Sequence, residues 1–158
     1  MTHPLYRRSR AHSSNIVIQK LPARGVYILV LRLLKNEHLS IGSLSKRFFG
    51  KGYYAYIGSA KKGLRARVGR HLTTSKAKRW HIDWLSSLRT VNILLVAATS
   101  HVGIECQLAS KLREEADGYA PRFGATDCSC PSHLYCFANF DDVMKVLLDL
   151  NLNIYSMN

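Results

Sequence analysis

Acid is what this sequence has least of: ten aspartates and glutamates stand against 23 lysines and arginines in 158 residues, a formal net charge of +13. A field of that size repels itself and is most simply balanced by a polyanion, because neutralised phosphates release their counterions. Nucleic acid is therefore the first partner to consider, ahead of an anionic lipid surface or a protein merely kept soluble by its charge. A long apolar run is also missing. The longest, around Val26 to Leu34, is interrupted by Arg32 and falls far short of the ~20 residues that cross a bilayer, so a soluble, cytoplasmic protein with no membrane partner is expected. Cysteines number four, at Cys106, Cys128, Cys130 and Cys136, too few and too unevenly placed for a secreted disulfide framework. No internal repeat is present. Met1 to Ser14 is rich in arginine, serine and histidine but lacks the apolar middle of a secretory signal, so residues 1–14 are expected as a mobile basic arm and 15–158 as one domain. The 47% hydrophobic content suffices for a packed core.

Along the chain, Gly25 to Leu34 has the valine, isoleucine, tyrosine and leucine density of a strand, with Pro22 and Gly25 punctuating its start. His38 to Phe49 is a plausible second strand. Gly50-Lys51-Gly52 is a turn leading into an extended, aromatic third strand from Tyr53 to Gly58, so the three are expected as an antiparallel meander. From Leu64 the period changes: Leu64, Val68 and Leu72 fall on one stripe of a helix, and Trp80, Trp84 and Leu88 repeat that spacing in a second helix from about Ala77 to Leu88. Val91 to Ala98 reads as a buried strand. Ile104, Leu108 and Leu112 mark a third helix that should stop before Gly118. Tyr119 to Ser132 is loop-like, Leu134 to Ala138 a short strand, and Asp141 to Leu150 a helix capped by Asp141 or Asn139, after which the last residues return as a strand.

The tripeptide Gly25-Val26-Tyr27, followed by Tyr56-Ile57-Gly58 and then a basic helix, resembles the pattern of the GIY-YIG nuclease superfamily. The resemblance covers about Gly25 to Leu112, and the sequence also looks like a little-characterised prokaryotic branch some of whose members are fused to endonuclease III-like repair proteins. It implies an α/β fold of the α+β type, a small, mainly antiparallel sheet flanked by helices. It also implies metal-dependent endonuclease activity on nucleic acid, DNA favoured over RNA, in a repair setting with a repair-protein partner. By the same resemblance Tyr27, Tyr56, Arg67 and His71 are the catalytic candidates, Gly25, Gly58 and His81 shape the site, and Glu105 binds a single Mg²⁺ or Mn²⁺. Two departures stand out. Twenty-eight residues separate Tyr27 from Tyr56, more than in the family's better-known members, and Ser59 stands where many members have lysine, a role Lys61 or Lys62 could take.

The residues support these roles on physical grounds, each beside a plainer reading. Strand alternation puts Tyr54, Tyr56 and Gly58 on one face, where Gly58 would clear room beside Tyr56. A tyrosine hydroxyl near a metal or cation can relay a proton from attacking water; the plainer account is aromatic core packing. Arg67 suits a transferring phosphate, since a planar guanidinium donates two hydrogen bonds, whereas Arg65 and Arg70 read better as solvated. His71, one helical turn on, is either a phosphate or proton partner or a structural histidine. Glu105 shares helical spacing with Leu108, Ala109 and Leu112, so its carboxylate calls for a divalent ion or an arginine. Lys61, Lys62, Arg65, Arg70, Lys76, Lys78 and Arg79 are expected to hold the nucleic-acid backbone. Cys128, Cys130 and His133, with Cys106 or Cys136 as a fourth ligand, invite a zinc reading. The single residue between Cys128 and Cys130 is shorter than in common zinc knuckles, which favours buried thiols in a polar turn, with a redox or disulfide role as the third account. The alternative to an enzyme is a non-catalytic nucleic-acid-binding module on the same fold, which predicts salt-dependent binding that survives Glu105→Gln.

Overall fold

The computed structural model describes residues 17–157; the expected basic arm at 1–14 lies outside them. Its main sheet is built from β1 Gly25–Leu33, β4 Gly52–Ala60, β5 Val91–Thr99, β6 Gly118–Tyr119, β7 Leu134–Phe137 and β8 Asn153–Ser156. These six strands are antiparallel and run in the order β6-β7-β4-β1-β5-β8. Strands β2 (Glu37–Ser40) and β3 (Lys46–Phe49) form a separate two-stranded sheet. The expected meander is thus corrected. His38 to Phe49 is a hairpin set apart from the main sheet, and β1 pairs with β4 and β5. The physical reason lies in β1, whose residues Tyr27, Leu29, Leu31 and Leu33 feed one buried cluster while Val26, Ile28 and Val30 feed another. A strand apolar on both faces takes the centre of a sheet with layers on either side, whereas Glu37, Leu39 and the exposed Phe48 suit a half-solvated ribbon.

On the Tyr27 face lie α1 (Leu64–His71) and α2 (His81–Ser86), through Leu64, Val68, Ile82 and Leu85. On the opposite face lie α3 (Glu105–Glu115) and α4 (Phe140–Asp149), through Leu108, Ala109, Leu112, Val143, Val146 and Leu147. Helix α2 starts later than expected from Ala77 because Asp83 reaches back to the helix entrance. Its Oδ2 accepts the backbone N–H of Arg79 (2.7 Å) and of Trp80 (3.1 Å), fixing the chain there as the end of a helix. Asn139 occupies the cap position of α4, although its side chain makes no capping bond. The stretch expected as a loop from Tyr119 begins in β6, which pairs Gly118 with Cys136 and Tyr119 with Tyr135. Among the described residues no helix is long and apolar enough to cross a membrane.

Candidate functional site

Tyr27 and Tyr56 project from β1 and β4 to the same face, and α1 delivers His71 between them. The Tyr27 hydroxyl and His71 Nε2 share a buried hydrogen bond of 2.6 Å. The Tyr27 ring meets Tyr56 edge-on at a centroid distance of 6.5 Å, and Tyr56 meets His71 at 6.2 Å. Arg67, one turn before His71, donates to the Ser59 carbonyl and lies 4.3 Å over the Trp80 ring. Four of the expected residues therefore converge.

Gly58 has a different role from the one expected. It sits opposite Tyr27 in the β1–β4 register, and a Cβ there would lie 2.4 Å from the Tyr27 hydroxyl and Cζ, so it clears room for Tyr27 rather than for Tyr56. Gly25, at φ +139°, passes against the Thr99 carbonyl, where a Cβ would come within 1.8 Å, which locks β1 to β5 at the site's end of the sheet.

The cluster is closed. Tyr27 is fully buried, His71 is 1% exposed and Tyr56 only 8%. Burial raises the Tyr27 hydroxyl well above its ordinary value; Tyr56 pushes the same way, and Arg67 opposes. Burial likewise pushes Tyr56 up to about 12, against the pull of Arg67. His71 is held down to about 3, by burial first and then by Lys76, Arg67 and Arg70, with Asp83 opposing. At neutral pH the pair is therefore a neutral phenol bonded to a neutral imidazole, and burial disfavours the ion pair that proton transfer would create. Part of the cover is the Phe123-Gly124 segment: Phe123 packs at 6.1 Å on Tyr56, and a Cβ on Gly124 would lie 3.0 Å from the Tyr56 ring. His81 anchors that segment, its Nδ1 accepting the Gly124 N–H at 2.9 Å. Burial lowers the His81 ring below its ordinary value, with Arg47 acting the same way, which keeps Nδ1 free to accept.

Glu105 is not brought to this cluster. It opens α3 on the far face of the sheet, half-buried, and the group that feels its charge is His133. The burial that spacing implied falls on Leu108, Ala109 and Leu112 but spares the first turn. The acid that does sit beside the tyrosines is Asp83, overlooked in the sequence and fully buried. Burial pushes its carboxyl up, but the Arg79 N–H, the Arg70 guanidinium and the Trp80 N–H together hold it below its ordinary value. Arg70 pairs with it at 2.8 Å, and Lys76 Nζ lies 4.0 Å away while donating to Ser86 Oγ at 2.8 Å. Arg70 and Lys76 thus turn inward, unlike the open phosphate contacts expected of them. Lys61, Lys62, Arg65, Lys78 and Arg79 are exposed.

A legible signal for Asp83 lies in the charge order: residues 1–82 carry eighteen of the 23 lysines and arginines but a single acid, Glu37. Asp83 ends this stretch and is taken up by Arg70 and Lys76, so the exposed Lys61, Lys62, Arg65, Lys78 and Arg79 have no ion pair among the described residues.

Across the sheet, Cys106, Cys128, Cys130 and His133 gather, their ligand atoms all within 4.8 Å of one another. Cys136, the other candidate for fourth ligand, lies outside this group, on β7.

Comparison with curated proteins and with solved structures finds no match. The family model described as domain of unknown function DUF123 matches residues 26–154, and the chain belongs to that family.

Proposed function

We propose that this protein is a nucleic-acid-binding domain of GIY-YIG type, with DNA as the favoured ligand and repair as the setting suggested by the resemblance. The observation that carries the reading is charge segregation: the first 82 residues hold a single acid, the next acid, Asp83, is buried, and Lys61, Lys62, Arg65, Lys78 and Arg79 are exposed in the turn before α1, on α1 and in the connection after it. Such a surface binds phosphates with a strong salt dependence. The convergence of Tyr27, Tyr56, Arg67 and His71 behind it supports the GIY-YIG assignment.

A second reading, phosphodiester hydrolysis, is favoured by the bond between Tyr27 and His71 beside Tyr56 and Arg67. Two features weigh against it in this arrangement. The phenols are closed to solvent, and an Mg²⁺ or Mn²⁺ on Glu105 would sit across the sheet from them. Asp83 does not fit as its replacement, because its fully buried carboxylate already has a cation on each oxygen, Arg70 at Oδ2 and Lys76 4.0 Å from Oδ1. No cleavage step is therefore derived through a metal.

Fluorescence anisotropy with nicked, branched, single-stranded and damaged DNA across a salt series tests the binding reading. Affinity should fall steeply with salt, the slope should lessen in Lys61→Ala/Lys62→Ala, and binding should survive Glu105→Gln. Absence of binding at low salt would sink the proposal. Adding Mg²⁺ or Mn²⁺ to the same panel tests the second reading: cleavage that is lost in both Arg67→Ala and Tyr56→Phe establishes it.

A further inference from the structure

Nothing in the proposed function uses the four sulfur and nitrogen ligands on the far side of the sheet. We propose that Cys106, Cys128, Cys130 and His133 bind one zinc ion in a tetrahedral site that fastens the 120–133 loop to α3.

The geometry is the first ground. With Zn–S near 2.3 Å and Zn–N near 2.0–2.1 Å, a tetrahedral site has S···S edges of about 3.8 Å and S···N edges of about 3.6 Å. Cys128 Sγ and His133 Nε2 are 3.5 Å apart, and all four ligand atoms fall within 4.8 Å of one another. An ion placed among them needs only small side-chain adjustments. A disulfide between any two of these thiols would break the set, and all four cysteines of the chain are free.

The second ground is how the ligands are held. Cys106 is the second residue of α3, on a regular helix. His133 is pinned at the entrance to β7, its backbone N–H donating to the Phe123 carbonyl at 2.8 Å and its carbonyl accepting the Ile57 N–H at 2.9 Å. Two ligands thus stand on rigid elements, as a preorganised site needs. The other two stand on chain with little else to hold it, for Thr126 to Cys130 lies outside every helix and strand. A loop of this kind is ordinarily low in local stability, and a metal crosslink supplies what secondary structure does not. The short Cys128-x-Cys130 spacing is compatible with this arrangement, because the loop supplies both thiols while the start of α3 and the entrance to β7 supply the remaining ligands.

The third ground is position. The loop that carries Cys128 and Cys130 continues from Phe123 and Gly124, the segment that covers Tyr56, and the Gly124 Cβ position lies 3.3 Å from the His133 Cβ. Zinc here fixes the wall of the tyrosine cluster without touching it. Neither the nucleic-acid reading nor the hydrolytic one is needed for this inference.

The test is metal content of the full chain, purified under reducing conditions from cells supplied with zinc, followed by cobalt substitution. About one zinc per chain is expected in the wild type and in Cys136→Ser, with loss in Cys128→Ser and Cys130→Ser. The cobalt form should show the intense d–d bands of a tetrahedral ion and a sulfur-to-cobalt charge-transfer band. Should the serine variants fail to fold, the wild-type cobalt spectrum decides alone. A wild type that carries no zinc and gives only the weak bands of six-coordinate cobalt overturns the site, as does full zinc retention in folded Cys128→Ser and Cys130→Ser.

Discussion

Gly58→Ala puts the most specific feature of the site under strain. The added methyl would sit 2.4 Å from Cζ and the hydroxyl of Tyr27, whereas carbon contacts are optimal at ~3.5 Å or more, so the ring tip must retreat by about 1 Å. It has no free space to enter, for the residue is fully buried with His71 bonded at 2.6 Å and Tyr56 edge-on beside it. Forced repacking of a filled core costs about 1–3 kcal/mol. Losing the Tyr27–His71 bond and leaving its partners unsatisfied adds about 1–3 kcal/mol. Removing a glycine from a strand interior returns about 0.5–1 kcal/mol. The net expectation is a loss of about 1–5 kcal/mol, which for a chain of this length lowers Tm by roughly 2–20 °C. Thermal and urea unfolding of wild type, Gly58→Ala, Tyr27→Ala and the double variant measure it, and in the Tyr27→Ala background the Gly58→Ala cost should nearly vanish. A Gly58→Ala protein that melts at or above wild type would refute the placement of Tyr27 against Gly58.

Three further outcomes follow from the same geometry. His71 is buried neutral with its folded-state value lowered to about 3; only the unfolded chain takes up this proton between about pH 6.5 and pH 3, so stability should be lost as pH is lowered through that window, by at most about 1.4 kcal/mol per unit. Urea midpoints at pH 7.5 and pH 5 should diverge more in wild type than in His71→Gln, and equal divergence would show that His71 is not the group responsible. Asp83→Ala removes the partner of Arg70 and Lys76 and the acceptor of two backbone N–H groups, so it should cost about 3–5 kcal/mol in urea unfolding; a loss under ~1 kcal/mol, the usual range of an exposed pair, would mean the carboxylate is in effect solvated. In DNA binding, Lys78→Ala/Arg79→Ala should lower the slope of log affinity against log salt by about 2, on the scale of about one unit for each phosphate that is no longer neutralised, with little change in melting; an unchanged slope would place the phosphate-binding surface elsewhere.

Periodicity and local chemistry were enough to read the main elements, because each depends on neighbours in sequence: the dense apolar run of β1, the fourfold spacing of Leu64 and Val68 in α1, and the strand of aliphatics at Val91. The order of tyrosine, tyrosine, arginine and histidine was legible as a motif, and these side chains do meet. What sequence order could not carry was depth and side. How far Tyr56 is sealed depends on Phe123 and Gly124, which arrive from far along the chain. Glu105 shares its helix with buried leucines, yet its distance from the tyrosines is set by which face of the sheet α3 covers, and that follows from how β1 is sandwiched. The one-residue spacing of Cys128 and Cys130 spoke against a zinc knuckle, and which of Cys106 and Cys136 lies beside them was decided only by packing, which brings the start of α3 to the loop. Charge and local period are properties of the chain read in order, whereas burial, pairing and ligand geometry belong to segments that only packing brings together.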